Sequence, residues 1–169
     1  GRWSITDQGL AHVKGLTMLD ELDLYPGWKI TDEGMVLLKE MTSLKDLALP
    51  SQVTDAGLIH VKEMSHLQKL VLPSRITDSG LIHIKEMTRL RDLILPSQIT
   101  DTGLIHVKEM PHLQTLFLGR EITDAGLIHI KGLATLKALY IYDTQVTDAG
   151  LAHLKGLEDL QALTLPSRI

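Results

Sequence analysis

The whole chain is built from one tandem repeat, and its period constrains the fold more than any other feature of the sequence. Each copy begins with a branched aliphatic residue followed by Thr-Asp, and the copies are spaced by 23 to 25 residues. A fixed period of this length is typical of a solenoid, in which each repeat packs only against its neighbours. We therefore interpret residues 1–169 as a single repeat domain of seven units, and expect it to be a fragment of a longer array. The units begin at Ile5, Ile30, Val53, Ile76, Ile99, Ile122 and Val146.

The first half of each repeat has the pattern of a short helix. In the third repeat, Thr54 has the chemistry of an N-cap, and Asp55 places a negative charge in the first turn. Leu58 and Val61 then begin an apolar series with a spacing of three, which predicts one buried stripe on a helix of about ten residues. Gly57 lowers helix propensity by about 1 kcal/mol, so its recurrence in every unit predicts a close approach of neighbouring backbone.

The second half of each repeat changes to a period of two, which predicts a strand. In the third repeat Leu70 and Leu72 alternate with Lys69 and Val71, and Pro73 ends the pattern because it has no N–H for a ladder. Units this short cannot bury their own apolar surface, so we expect them to stack into a parallel sheet backed by a row of helices. The predicted strands are Glu21–Leu24, Asp46–Leu49, Lys69–Leu72, Asp92–Leu95, Thr115–Leu118, Ala138–Ile141 and Ala162–Leu165.

Two motifs carry a resemblance to a known family. The Leu-x-x-Leu-x-Leu motif of residues 90–95 resembles the leucine-rich repeat, and VTDAGLAHLKGL at 146–157 resembles the bacterial repeats of the "TDAGLAHLKGL" type. The units are also similar to the cysteine-containing leucine-rich repeat subfamily found in F-box substrate receptors. The resemblance implies an α/β solenoid, an arc or horseshoe with a concave parallel β-sheet and convex α-helices.

The family resemblance also implies a role for the residue that follows each strand. In the family this residue is Asn, Cys or Thr, and it bonds to the neighbouring turns. Thr144 matches the position in the sixth unit, whereas Arg120 occupies it in the fifth unit and Trp28 in the first, and these two turns should be locally irregular. The other four units offer a serine nearby. These serines are Ser51, Ser74, Ser97 and Ser167.

No motif of the sequence indicates catalysis, because it contains no Ser–His–Asp arrangement, phosphate loop or HExxH motif. One histidine recurs at the same helical position in six units, which would suit a metal ladder or a pH switch. Parallel helices pack about 8–10 Å apart, too far for zinc, whose ligand nitrogens lie at about 2.0–2.1 Å. We therefore assign the row to a solvated flank and expect no metal, cofactor or catalytic residue. The histidines are His12, His60, His83, His106, His129 and His153.

Charge and composition narrow the classes of partner. The net charge is −4 and the pI is about 6.0, which argues against nucleic acid or an anionic membrane surface. The recurring aspartates and lysines suit the two ends of each helix, so they need not form a binding track. The chain has no cysteine, no visible signal peptide and no apolar run near the roughly 20 residues of a membrane span. The compartment is not assigned.

The strand alternation predicts a binding face. If the leucines point inward, the residues between them face the concave side of the arc. Four consecutive units place apolar residues there, which predicts a protein or peptide partner with an apolar surface, and basic groups toward the acidic first units. Strand propensity is the alternative explanation of this row. The predicted site comprises Val71, Ile94, Phe117, Tyr140 and Tyr142, flanked by Lys69, Asp92 and Thr115, with Glu21, Asp23 and Asp46 at the acidic end.

A second apolar row follows the helix leucine at Ile59, Ile82, Ile105 and Ile128. We expect it to pack laterally between helices, although a second contact surface is the alternative. Two other functions are alternatives to the binding of a separate partner. The chain would be a self-assembling array if uncapped repeat ends associate, or it would be the specificity arm of a larger enzyme or effector.

Overall fold

Each of the seven repeats contributes one short strand to a single parallel sheet. A computed structural model describes residues 4–24 and 27–166. The sheet has the strand order β1 to β7, so consecutive repeats are also neighbours in space. The strands are β1 Glu21–Asp23, β2 Asp46–Ala48, β3 Lys69–Val71, β4 Asp92–Ile94, β5 Thr115–Phe117, β6 Ala138–Tyr140 and β7 Ala162–Thr164.

The pairing of these strands brings identical repeat positions side by side. Leu70 pairs with Leu93, and Leu93 pairs with Leu116. Each strand ends one residue earlier than predicted. The last leucine still donates its N–H to the next strand, as Leu72 does to Ile94 at 3.1 Å. In repeats such as the third, Pro73 follows and offers no N–H, so the ladder stops there.

The helical segments are shorter than the predicted ten residues, and two repeats have no α-helix. In the fourth and fifth repeats, the segments Gly80–His83 and Gly103–His106 are single 3-10 turns. Their first turn carries Ser or Thr where the seven-residue helices of the third and sixth repeats carry Ala, which is the stronger helix former. The α-helices are α1 Asp7–Val13, α2 Asp32–Met35, α3 Asp55–Val61, α4 Asp124–Ile130 and α5 Asp148–Leu151, and 3-10 segments continue at Val36–Glu40 and Ala152–Gly156.

The core lies between the sheet and the helical row. Leu58, Val61 and Met64 are buried, as the spacing predicted, and they belong to the same core cluster as the inward leucines such as Leu70. Helices this short are not stable alone, so contact between adjacent repeats must supply most of their stability. None of the helices within residues 4–24 and 27–166 is long and apolar enough to cross a membrane.

Side-chain hydrogen bonds join each repeat to the next on the helical side. Asp78 accepts from the backbone N–H of Thr100 at 2.9 Å and from its Oγ1 at 2.6 Å. The same pair of bonds recurs at six successive junctions, and we call this set the Asp–Thr ladder. The aspartates therefore do more than interact with their own helix dipole, which was their predicted role. The pairs are Asp7–Thr31, Asp32–Thr54, Asp55–Thr77, Asp78–Thr100, Asp101–Thr123 and Asp124–Thr147.

The recurring glycine makes room for this ladder. A Cβ built on Gly103 would lie 2.5 Å from Oδ1 of Asp78, and one built on Gly57 would lie 2.6 Å from Oδ1 of Asp32. The close approach predicted at this glycine is confirmed, but the approaching group is the carboxylate of the preceding repeat rather than backbone. The same aspartate therefore requires both the threonine and the glycine of the next repeat.

The turns after the strands are joined differently from the family expectation. Thr144 donates from Oγ1 to the carbonyl oxygen of Ile141, within its own turn, at 2.8 Å. Its predicted link to a neighbouring turn is therefore wrong, because the hydroxyl is already satisfied locally. Glutamines two residues before the Thr-Asp pair bridge repeats instead, as Gln98 does by donating to Ile76 O at 2.7 Å. Ser167, predicted at the same position, lies outside the described residues.

Candidate functional site

The predicted apolar row forms a continuous line across four strands. Register pairs Val71 with Ile94, Ile94 with Phe117, and Phe117 with Tyr140. Parallel strands lie about 4.8 Å apart, so the line extends about 14 Å across the sheet. All four side chains are half-buried, in contrast to the fully buried Leu70, Leu93 and Leu116 on the other face.

Two aromatic residues of this line pack on each other. The rings of Phe117 and Tyr140 are stacked, with centroids 3.9 Å apart and planes 9° from parallel. The row is therefore less exposed than the sequence suggested, because each ring covers a face of its neighbour. Stacking holds both side chains in one orientation, which gives the face a preformed flat aromatic surface.

The flanking row alternates in charge. Asp46 pairs in register with Lys69, and Lys69 with Asp92, while Thr115 continues the row on the next strand. All four side chains are half-buried. The apolar line thus has a polar border along one side, as interfaces commonly have at their rim.

The acidic end of the face is a shallow hollow. Glu21, Asp23 and Asp46 line it together with Lys69 and Val71, and its volume is about 190 Å³. Three carboxylates face a single ammonium group, so the hollow favours cationic groups. Glu21 and Asp23 are exposed, whereas Asp46 is half-buried.

Tyr142 occupies a different place from the rest of the predicted site. It lies beyond the end of β6, in the turn two residues after Tyr140, and 48% of its surface is exposed. The equivalent residue in three earlier repeats is a buried proline: Pro50, Pro73 or Pro96. Tyr142 is therefore positioned by a turn, whereas the four members of the apolar line are positioned by strands.

The second apolar row lies on the helical side of the molecule. Ile59, Ile82, Ile105 and Ile128 are 40–45% exposed, and Val36 joins them at 44%. Lateral packing between helices stays a prediction for this row, and a substantial apolar stripe is in contact with solvent. Substitutions in this stripe therefore provide a matched control for substitutions in the apolar line.

In the described part of the chain, the acidic and histidine side chains form no cluster suited to a metal ion. In residues 4–24 and 27–166, no three His, Asp or Glu side chains form a group that would hold a metal ion. The recurring His60 and its equivalents lie on successive turns of the helical row, where His60 itself is half-buried.

Solved structures share this fold at low sequence identity. An internalin C2 from Listeria monocytogenes str. 4b F2365 is 24% identical, with 95% of this chain and 75% of that chain aligned at a TM-score of 0.66. An internalin (inlF) from the same strain is 19% identical, with 94% of this chain and 51% of that chain aligned at a TM-score of 0.59. No protein-family model and no curated protein matches the sequence.

Internalins are leucine-rich repeat proteins, so these similarities confirm the fold that the sequence motifs indicated. The chain is a leucine-rich repeat α/β solenoid with an open seven-stranded parallel sheet. The narrower "TDAGLAHLKGL" type and the cysteine-containing subfamily stay predictions from the sequence. The chain spans about half the length of the inlF structure that it matches.

Proposed function

We propose that this chain is a non-enzymatic binding module that holds a protein or peptide partner on the concave face of its sheet. The observation that carries the proposal is the continuous apolar line from Val71 to Tyr140, interrupted by no charged side chain. Solenoids of this kind form extended concave binding surfaces. Aromatic side chains, such as the stacked pair here, supply much of the binding energy in many interfaces.

The chemistry of the face defines the partner. Apolar side chains of the partner contact Ile94, Phe117 and Tyr140, and its basic groups lie toward Glu21, Asp23 and Asp46. From the acidic hollow at β1 to the aromatic pair at β6 the sheet extends about 24 Å, which an extended peptide of about seven residues spans. The partner therefore needs both an apolar group and a basic group, separated by about the length of this span.

The experiment compares two faces of the same molecule. Proteins captured by the chain are identified, and the affinity of a purified candidate is then measured by calorimetry against matched double variants. Phe117→Ser with Tyr140→Ser should weaken binding by about tenfold or more, because hot-spot side chains contribute about 2 kcal/mol each. Ile82→Ser with Ile105→Ser, on the helical side, should leave the affinity within about twofold.

The folding of both variants is checked by chemical unfolding. In the Phe117→Ser, Tyr140→Ser variant, the free energy of unfolding should fall only by the stacking contribution of about 0.5–1.5 kcal/mol and by the contribution of the half-buried apolar area. Equal affinity of the concave variant and the unsubstituted chain would show that the partner binds elsewhere. Loss of affinity only in the helical-side variant would assign the function to that stripe.

Self-association is the competing use of the exposed apolar surface. In the first repeat Leu16 and Met18 are 53% and 87% exposed, and in the last repeat Leu165 is 51% exposed. Sedimentation velocity at several concentrations therefore accompanies the calorimetry. A monomer at all concentrations supports a receptor for another protein, whereas concentration-dependent growth supports the self-assembling array.

A further inference from the structure

A cationic cleft lies at the edge of the sheet where β3, β4 and β5 begin. Gln68, Arg89, Arg91, His112 and Gln114 line it, and its volume is about 360 Å³. Two guanidinium groups, one imidazole and two amides surround the cleft, and no carboxylate is among the lining groups. It is separate from the apolar line, because its residues precede the strands whereas the line lies within them.

The backbone of this cleft is held firmly by the sheet. Gln68 O accepts from Arg91 N at 2.7 Å and from Asp92 N at 2.9 Å. Arg91 O accepts in the same way from Gln114 N at 2.7 Å and from Thr115 N at 2.8 Å. Residues 68, 91 and 114 are therefore stacked about 4.8 Å apart, with one arginine between two glutamines.

Core residues fix the other two lining groups. Arg89 and His112 occupy equivalent positions in consecutive repeats, and each directly precedes a fully buried leucine, Leu90 or Leu113. Both side chains are exposed, as is that of Arg91. The segment that carries each of these side chains is thus anchored while its polar end remains in solvent.

Arg89 and Arg91 differ from several lysines in their charged neighbours. In the described part of the chain neither Arg89 nor Arg91 forms an ion pair, although Lys14, Lys39 and Lys45 each pair with a carboxylate. Asp92 is adjacent in sequence but does not line the cleft. Unpaired guanidinium groups in a concave site bind oxyanions well, because their planar N–H groups match two oxygens at once.

We propose that this cleft binds a phosphate monoester. Two guanidiniums and two amides present many more N–H donors than the two oxygens of a carboxylate can accept, whereas a phosphate offers three oxygens and a double charge. The acidic hollow and the overall charge of −4 oppose a long polyanion, so the ligand is a single phosphate group. It is carried either by a small molecule or by a phosphorylated side chain.

The test titrates the isotope-labelled chain and follows the amide and Arg Nε resonances by NMR. The probes are inorganic phosphate and N-acetyl-O-phosphoserine amide, with sodium chloride at matched ionic strength as the blank. Saturable shifts should be confined to residues 68, 89, 91, 112 and 114. Preference for the phosphoserine probe assigns the site to a phosphorylated side chain, and equal affinity assigns it to small phosphates.

Variants separate a specific site from general charge. Arg89→Gln with Arg91→Gln should weaken phosphate binding by at least about tenfold, because the charge-assisted hydrogen bonds are lost. Arg120→Gln removes one positive charge, as each substitution in the cleft does, but at an exposed position outside the cleft. It should leave phosphate binding unchanged. Arg91→Lys retains the charge but not the forked donor, so it should give an intermediate loss.

Several outcomes would overturn the proposal. These are shifts that do not saturate, shifts equal to those in chloride, or an equal loss of binding in Arg120→Gln. No protein partner is needed for this titration. Its failure would therefore leave the proposed function of the concave face untouched.

Discussion

At Gly103 the preference of the helical turn and the requirement of the neighbouring repeat are opposed. Alanine would suit the turn better, but its Cβ would lie 2.5 Å from the carboxylate oxygen of Asp78. That carboxylate holds both donors of Thr100, so a displacement leaves partly buried polar groups without partners. Replacing a helical glycine with alanine usually raises stability, but at this position it should lower it.

We predict that Gly103→Ala destabilises the chain by about 1–3 kcal/mol, the usual cost of buried hydrogen bonds left unmade. Gly132→Ala is the matched control, because nothing lies within 4 Å of a Cβ at that glycine. It should be neutral or stabilising by up to about 1 kcal/mol, through a less flexible unfolded chain. Chemical unfolding measures both, and equal stabilities would show that the Asp–Thr ladder adjusts without cost.

The ladder also predicts a dependence on pH. Hydrogen bonds from the backbone and side chain of Thr147 lower the pKa of Asp124 below its ordinary value of 3.8. The carboxylate therefore contributes stability that is present above pH 3.8 and is lost as the pH falls through the lower, folded-state pKa.

Asp124→Asn should consequently lower the unfolding midpoint above this pH, and the difference from the unsubstituted chain should shrink on acidification. Asp159→Asn, at an exposed position outside the ladder, is the control and should shift the midpoint little. A difference for Asp124→Asn that is independent of pH would show that the charged form of this carboxylate does not matter.

At the scale of the element, one residue distinguishes α-helical from 3-10 repeats. Ser79 and Thr102 stand where Ala56 and Ala125 stand in the seven-residue helices α3 and α4. Ser79→Ala with Thr102→Ala should extend the 3-10 turns toward α-helices and stabilise the chain by about 0.5 kcal/mol per site. Carbon chemical shifts of residues 78–85 and 101–108 report the change, and Ala56→Ser should have the opposite effect in α3. Unchanged shifts would mean that packing, rather than propensity, selects the 3-10 geometry.

The strands could be predicted to within one residue, because period-two leucines fix both the face and the register. Helix type could not be predicted, since the α-helical and 3-10 repeats share the same apolar spacing. The apolar line could be predicted from the alternation within each repeat. The stacking of Phe117 on Tyr140 could not, because it depends on the pairing register of two strands. The Asp–Thr ladder was missed, although the invariant association of Thr, Asp and Gly in every unit was its signal. The cationic cleft was missed because Arg89 and Arg91 stand at repeat positions that vary from unit to unit, where no recurring residue draws attention.

At the scale of the molecule, stability depends on uninterrupted stacking. Leu93 is fully buried in the central strand, so Leu93→Ala should cost about 2–5 kcal/mol. Leu163, the equivalent residue of the last strand, is 40% exposed, and the same change there should cost less than about half as much. Because repeats are coupled only to neighbours, the central variant should also broaden the unfolding transition. Equal losses of stability in the two variants would contradict the difference in burial between Leu93 and Leu163.

The in-register sheet makes this molecule a ruler with divisions of about 4.8 Å. Removal of residues 76–98, which are one complete unit, would join equivalent positions of the flanking units. The acidic hollow and the aromatic pair would then lie one division closer, and Arg89 and Arg91 would be lost together. Under the proposed function, the length of the bound peptide should therefore change only in whole steps. Insertion or deletion of a unit should change which peptide fits without any change in the chemistry of either end.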